Sequence, residues 1–201
     1  MRFRIVGCCV LILVALSFAV TAKADKVTID GSVAFWDHNY GIPPYGGALN
    51  GVSKSFYCVD FSSTIAPPYS WDVTIMSLTG SDFTHTKLGN KTDYLAMAWL
   101  ITQMVGQTNL QKAKDQYAIW SFSGGPNPYG TNNALVTAAL AAATTFNGTG
   151  WEILTPIGSQ GQEFLIYVGV PEPATLLMLL LGLGVLMVSV RKKGTVGTYA
   201  I

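Results

Sequence analysis

Apolar and polar positions alternate in the first part of the chain. "KVTIDGSVAFW" follows the strand period of two, and "SKSFYCVDF" and "SWDVTIMSL" are rich in aromatic and β-branched residues, so all three predict strands. "GIPPYGGALNG", between the first two, reads as a loop by its prolines and glycines. The period then changes. Tyr94, Met97, Ala98, Ile101, Met104 and Val105 fall on one helical face, with Thr92 or Asp93 as cap. A second helix starts near Asn109, with Leu110, Ala113, Tyr117 and Trp120 at threes and fours, and "SGGPNPYG" ends it. A third runs from Asn133 to Phe146 and stops at Asn147-Gly148. "WEILTP" and "QEFLIYVGV" return to strand. Strands flanking a helical insert predict an α+β domain, a small β-sandwich or barrel carrying a helical subdomain between strands.

The two ends follow neither period. Arg2 and Arg4 precede an uncharged apolar run from Ile5 to Val20 that closes on Ala22-Lys23-Ala24. That order predicts a signal peptide over residues 1–24, cut before Asp25. Near the other end, Ala174 to Val190 is 17 uncharged and mostly apolar residues, followed by Arg191, Lys192 and Lys193. As a helix it would be roughly 26 Å long, close to the thickness of a bilayer core. The basic cluster would stay in the cytoplasm and leave everything before it outside the inner membrane.

Pro171-Glu172-Pro173, the apolar span and the basic cluster occur in that order. This three-part tail, residues 171–194, resembles the PEP-CTERM sorting signal. The resemblance implies export and an exosortase as processing partner. The helix at 174–190 would be a temporary inner-membrane anchor, lost before the protein reaches the cell surface or the extracellular matrix. It also implies work alongside exopolysaccharide export.

Residues 25–170 are left as the extracytoplasmic domain, long enough for a core of its own. They hold six lysines, no arginine and ten acidic residues, so the formal charge is −4. A mildly acidic domain without arginine is a poor partner for nucleic acid. Nothing in its composition calls for a metal or a cofactor.

Cys8 and Cys9 leave with the signal peptide, so Cys58 is an unpaired thiol in an oxidising compartment. Free cysteine is commonly a small buried hydrophobe. A second stretch, "KDQYAIW", sets Gln116 beside the apolar stripe of the second helix, where a partly buried amide must satisfy its oxygen and nitrogen or be consumed. Tyr57-Cys58-Val59-Asp60 on a strand and Asp115-Gln116-Tyr117-Ala118-Ile119-Trp120 on a helix together resemble the thioester domain of Gram-positive surface adhesins. Asp115 stands where that family has threonine.

The resemblance implies that the Cys58 sulfur and the Gln116 side chain condense, with loss of ammonia, into an internal thioester. A surface amine or a glycan hydroxyl would then be acylated once per molecule, which would make the protein a reactive binding protein of the cell surface and not a turnover enzyme. His38, His85 and Asp60 are the groups that could assist the sulfur. A cysteine protease or transglutaminase would use Cys58 with His38 or His85, but neither local signature of such enzymes surrounds it. The alternative of another class is a non-covalent exopolysaccharide or matrix protein with an inert buried cysteine. Its aromatic residues, from among Trp36, Tyr40, Tyr45, Tyr69, Trp71 and Tyr129, would stack on sugars.

Overall fold

A computed structural model describes residues 24–158 and 160–169. The expected signal peptide up to residue 23, the sorting signal at 171–194 and its apolar span at 174–190 lie outside the described residues. Among those described, no helix is long and apolar enough to cross a membrane.

The chain is α+β. Eight strands are present among the described residues: β1 (Asp25–Ile29), β2 (Phe35–Asp37), β3 (Tyr40–Ile42), β4 (Tyr45–Leu49), β5 (Val52–Cys58), β6 (Tyr69–Ser77), β7 (Trp151–Pro156) and β8 (Phe164–Tyr167). Three helices, α1 (Lys91–Gln103), α2 (Asn109–Ser121) and α3 (Asn132–Ala143), are inserted between β6 and β7. Six strands close a barrel in the order β1-β4-β5-β8-β7-β6, every pair antiparallel. Of the two expected architectures, barrel and sandwich, it is the barrel. β2 and β3 form a separate hairpin.

The segment expected to be a loop, residues 41–51, is mostly strand. Two local features explain this. Asn50 and Gly51 both take positive φ, 53° and 80°, and join Leu49 to its partner Val52, which is the geometry of a tight two-residue hairpin turn. Gly47 lies so close to β1 that a Cβ on it would sit 2.1 Å from the Thr28 carbonyl oxygen. Its glycine therefore serves a close strand approach and not a flexible loop.

The helices follow most of their expected faces, with corrected ends, but Val105 lies past the end of α1 and Leu110 in the first turn of α2, and both are exposed. The cap of α1 is Asn90, whose side chain accepts from the Thr92 N–H at 3.0 Å, and not Thr92 or Asp93. The last helix runs from Asn132 and ends at Ala143, three residues before Phe146, because turns at Thr144 to Phe146 take over the Ala141 and Ala142 carbonyls.

The alternation along β5 decides which side chains enter the barrel. Phe56 and Cys58 point inward among Val27, Ile29, Trp71, Phe164 and Ile166. Tyr57 and Val59 belong to the second core, where the outside of β7 and β8 meets α1 and α3. Each large side chain in these cores contributes about 2 kcal/mol on burial. α2 is shared. Its Ala113, Tyr117 and Trp120 pack with the barrel interior, while Ala118 and Ile119 pack with the helices. This division brings the middle of α2 against the end of β5.

Candidate functional site

Cys58 is the last residue of β5 and Gln116 lies at the centre of α2. Both are buried, with Cys58 1% and Gln116 0% exposed. The Gln116 Nε2 donates to the Cys58 carbonyl oxygen at 2.8 Å. Residues 58 positions apart in the chain are thus in direct contact through the Gln116 side chain. The Gln116 Oε1, by contrast, has no hydrogen-bond partner among the described residues. A buried amide oxygen left in that state costs about 1–3 kcal/mol.

The surroundings of the sulfur keep it a neutral thiol. Burial pushes the Cys58 thiol up to about 12. Sγ–H donates to the Asp60 carbonyl oxygen at 3.3 Å, a bond that only the neutral thiol can make. The Trp120 indole, whose buried N–H has no hydrogen-bond partner of normal geometry among the described residues, counters part of the rise.

Asp60 is the one of the three expected assisting residues joined to Cys58 by a hydrogen bond, and the link runs through its backbone. Its carboxylate, 2% exposed as a residue, is bound by the Lys87 ammonium and by the Ser62 N–H at 2.9 Å. Burial pushes the Asp60 carboxyl up, but the hydrogen bonds from Lys87, Ser62 and Ser63 together outweigh it and leave it below its ordinary value. His38 sits at the β2–β3 turn with φ 45°, bonded to Asp37 at 2.8 Å and packed edge-on to Tyr117 and Tyr129. His85 is exposed, in the loop before α1.

Asp115 is also buried, at 2% exposure. Its Oδ1 accepts from Gln111 Nε2 at 2.9 Å while Oδ2 has no partner among the described residues. Burial raises its carboxyl above the ordinary value, and the Gln111 bond offsets this only in part.

Several residues around the pair have no motif to announce them. The Ser123 hydroxyl, just past α2, accepts from the Phe61 N–H at 2.9 Å and ties the helix end to the chain beyond Cys58. Glu163, 1% exposed, accepts from the Tyr94 hydroxyl, from Thr155 at 2.6 Å and from the Lys87 backbone N–H at 3.1 Å. Its carboxylate in the apolar run "EFLIY" was the available signal for a buried network. Beside the pair, Tyr45 and Trp120 reach from the Cys58 core into the wall of an open groove of about 420 Å³.

No metal-ligating group of three or more His, Cys, Asp or Glu side chains is present among the described residues. The chain was also compared with known proteins. No curated protein and no solved structure matches it. One family model does, that of the PEP-CTERM protein-sorting motif, over residues 169–193. The motif covers Pro171-Glu172-Pro173, the apolar span and the basic cluster, and implies an exported protein with a membrane-anchored sorting signal that is processed by an exosortase.

Proposed function

We propose that this exported protein forms an internal thioester between Cys58 and Gln116 and uses it to attach covalently to a target on the cell surface or in the matrix. The observation that carries the reading is the contact between the two residues: the Gln116 amide, fully buried, donates a hydrogen bond to the Cys58 backbone carbonyl at 2.8 Å. In the condensation the Sγ–Cδ bond forms and the Cδ–Nε2 bond breaks. The sulfur's proton leaves with the amide nitrogen as ammonia.

Burial favours that product. The amide places two N–H donors and a strong acceptor in an apolar core, and its oxygen finds no partner among the described residues. A thioester has no N–H, and its carbonyl is a weaker acceptor because sulfur shares less electron density with it. It also removes a thiol that burial already holds in its neutral form. Water is kept from the bond by Tyr45, Trp120 and Phe164, so hydrolysis is slow until a nucleophile is held against it.

The domain division follows from the same reading: a signal peptide at 1–24, the thioester domain at 25–170, and a sorting signal at 171–194 with its membrane helix at 174–190. The test is labelling with methylamine. The exported protein should take one methylamine on Gln116 and release the Cys58 thiol in equal amount. An unlabelled Gln116 beside a freely titratable Cys58 in the unfolded chain would contradict it.

A second reading rests on a specific observation. The Cys58 thiol, pushed up to about 12 and bonded to the Asp60 carbonyl, has the features of an inert core cysteine in a non-covalent matrix protein.

A further inference from the structure

The groove walled by Tyr45 and Trp120, which also pack in the core that holds Cys58, is built from the β2–β3 hairpin, β4, the chain following β5, Gln162 before β8 and the Trp120 edge of α2. Its volume, about 420 Å³, is that of a small-ligand site. Two features set its chemistry. The first is aromatic. Tyr40, Phe61 and Trp120 hold one another by edge and tilted contacts, with centroids 5.3, 5.8 and 5.4 Å apart, so their orientation is fixed before any ligand arrives. Trp36 stands on the hairpin opposite Gly41 and remains 68% exposed, an unusual position for the largest apolar side chain.

The second feature is neutrality. The polar residues at the groove are Asn39, Ser63, Thr64 and Gln162, and among the described residues no charged side chain lines it. Nearby, the Asp60 carboxylate is bound by Lys87, and the Asp37 carboxylate is hydrogen-bonded by the Tyr129 hydroxyl and the His38 ring, both at 2.8 Å. A lysine ammonium entering here would lose its hydration and meet no carboxylate, which is costly. A sugar presents C–H faces to aromatic rings and neutral hydroxyls to amides and serines, and carries no charge to desolvate.

We propose that this groove binds a neutral carbohydrate and that the nucleophile acylated at Gln116 is a sugar hydroxyl. The inference rests on the thioester reading and names its acceptor. In the transfer, the hydroxyl oxygen bonds to the Gln116 Cδ as the Cδ–Sγ bond breaks. The hydroxyl proton ends on the Cys58 sulfur, and the product is an ester of residue 116 with a free thiol at 58.

Cellohexaose and hexalysine serve as probes. Cys58→Ala, in which no thioester can form, should still bind cellohexaose by calorimetry, and adding Trp36→Ala should weaken that binding about tenfold. In the wild-type exported protein, cellohexaose should give an ester at Gln116 faster than hexalysine gives an amide. Trp36→Ala should lower the ratio of ester formation to methylamine labelling about tenfold. Preferential acylation of hexalysine would overturn the inference. So would Cys58→Ala binding cellohexaose no better with Trp36 than without it, even where methylamine labelling shows the thioester to be present. Loss of methylamine labelling alone would remove the acyl transfer, while Trp36-dependent binding by Cys58→Ala would still establish the carbohydrate groove.

Discussion

Lys87 reaches across from the loop before α1 to bind the buried carboxylate of Asp60, two residues past Cys58. The same ammonium donates to Ser63 at 2.7 Å and to the Gly161 carbonyl at 3.2 Å, so one cation holds the turn after β5 against the turn before β8. Lys87→Met should leave the Asp60 charge buried without its partner and cost about 3 kcal/mol in a denaturant titration at neutral pH. The sign with pH follows from the lowered carboxyl. The stabilisation is complete above the ordinary value of 3.8 and is lost as pH falls through the lower native value. The gap in melting temperature between wild type and Lys87→Met should therefore be widest at neutral pH and narrow in acid.

Glu163 should behave in the opposite sense. Burial raises its carboxyl above the ordinary 4.5, and the bonds from Thr155, Tyr94 and Lys87 offset only part of that rise. Its contribution is fully present below the ordinary value and declines as pH rises through the raised one. Glu163→Gln should flatten this decline in a series of melting temperatures across that window. Tyr94→Phe removes a donor to Glu163 and the acceptor of the Leu88 N–H at 3.1 Å, and should cost about 2 kcal/mol.

Processing at the two ends is tested in cells. With a matching exosortase present, the released or surface form should begin at Asp25 and lack peptides containing Met187, as read by amino-terminal sequencing and peptide mass mapping. A surface form that retains Met187 would contradict removal of the tail, and one that retains Cys8 would contradict the cut after Ala24.

Much of the fold is legible in local pattern. β5, β6 and β7 announce themselves by β-branched and aromatic residues, and the helical insert by its change of period. β4 does not, because Gly46 and Gly47 carry the composition of a loop while serving a close approach between backbones that only the folded barrel reveals. Asn50-Gly51 is a turn signal, but it is meaningful only once both flanks are known to be strands. Cys58 and Gln116 stand out as an orphan thiol and an amide beside an apolar stripe, and local sequence around both carries the resemblance. Lys87 and Glu163 do not stand out, since Lys87 meets Asp60 across 27 residues and Glu163 meets Tyr94 and the Lys87 backbone across 69 and 76, and no short motif links them. The groove is likewise invisible in sequence. Its aromatic residues come from the β2–β3 hairpin, β4, the segment after β5 and α2, and only closure of the barrel brings them together.

Either partner of the central pair can be removed with modest effect on folding, because little apolar area goes with it. Gln116→Ala removes the cross-link spanning 58 residues and, in the amide form, the donor to the Cys58 carbonyl, so the chain should still fold but melt several degrees below the wild type. It should also leave Cys58 titratable with a thiol reagent after unfolding.

The intact mass of the freshly purified, unreduced exported protein tests the central claim most directly. It should fall short of the sequence mass of the processed chain by one ammonia, and the deficit should vanish in Cys58→Ala and in Gln116→Ala. A native wild-type protein at its full sequence mass, with Cys58 recovered as a free thiol, would contradict the thioester.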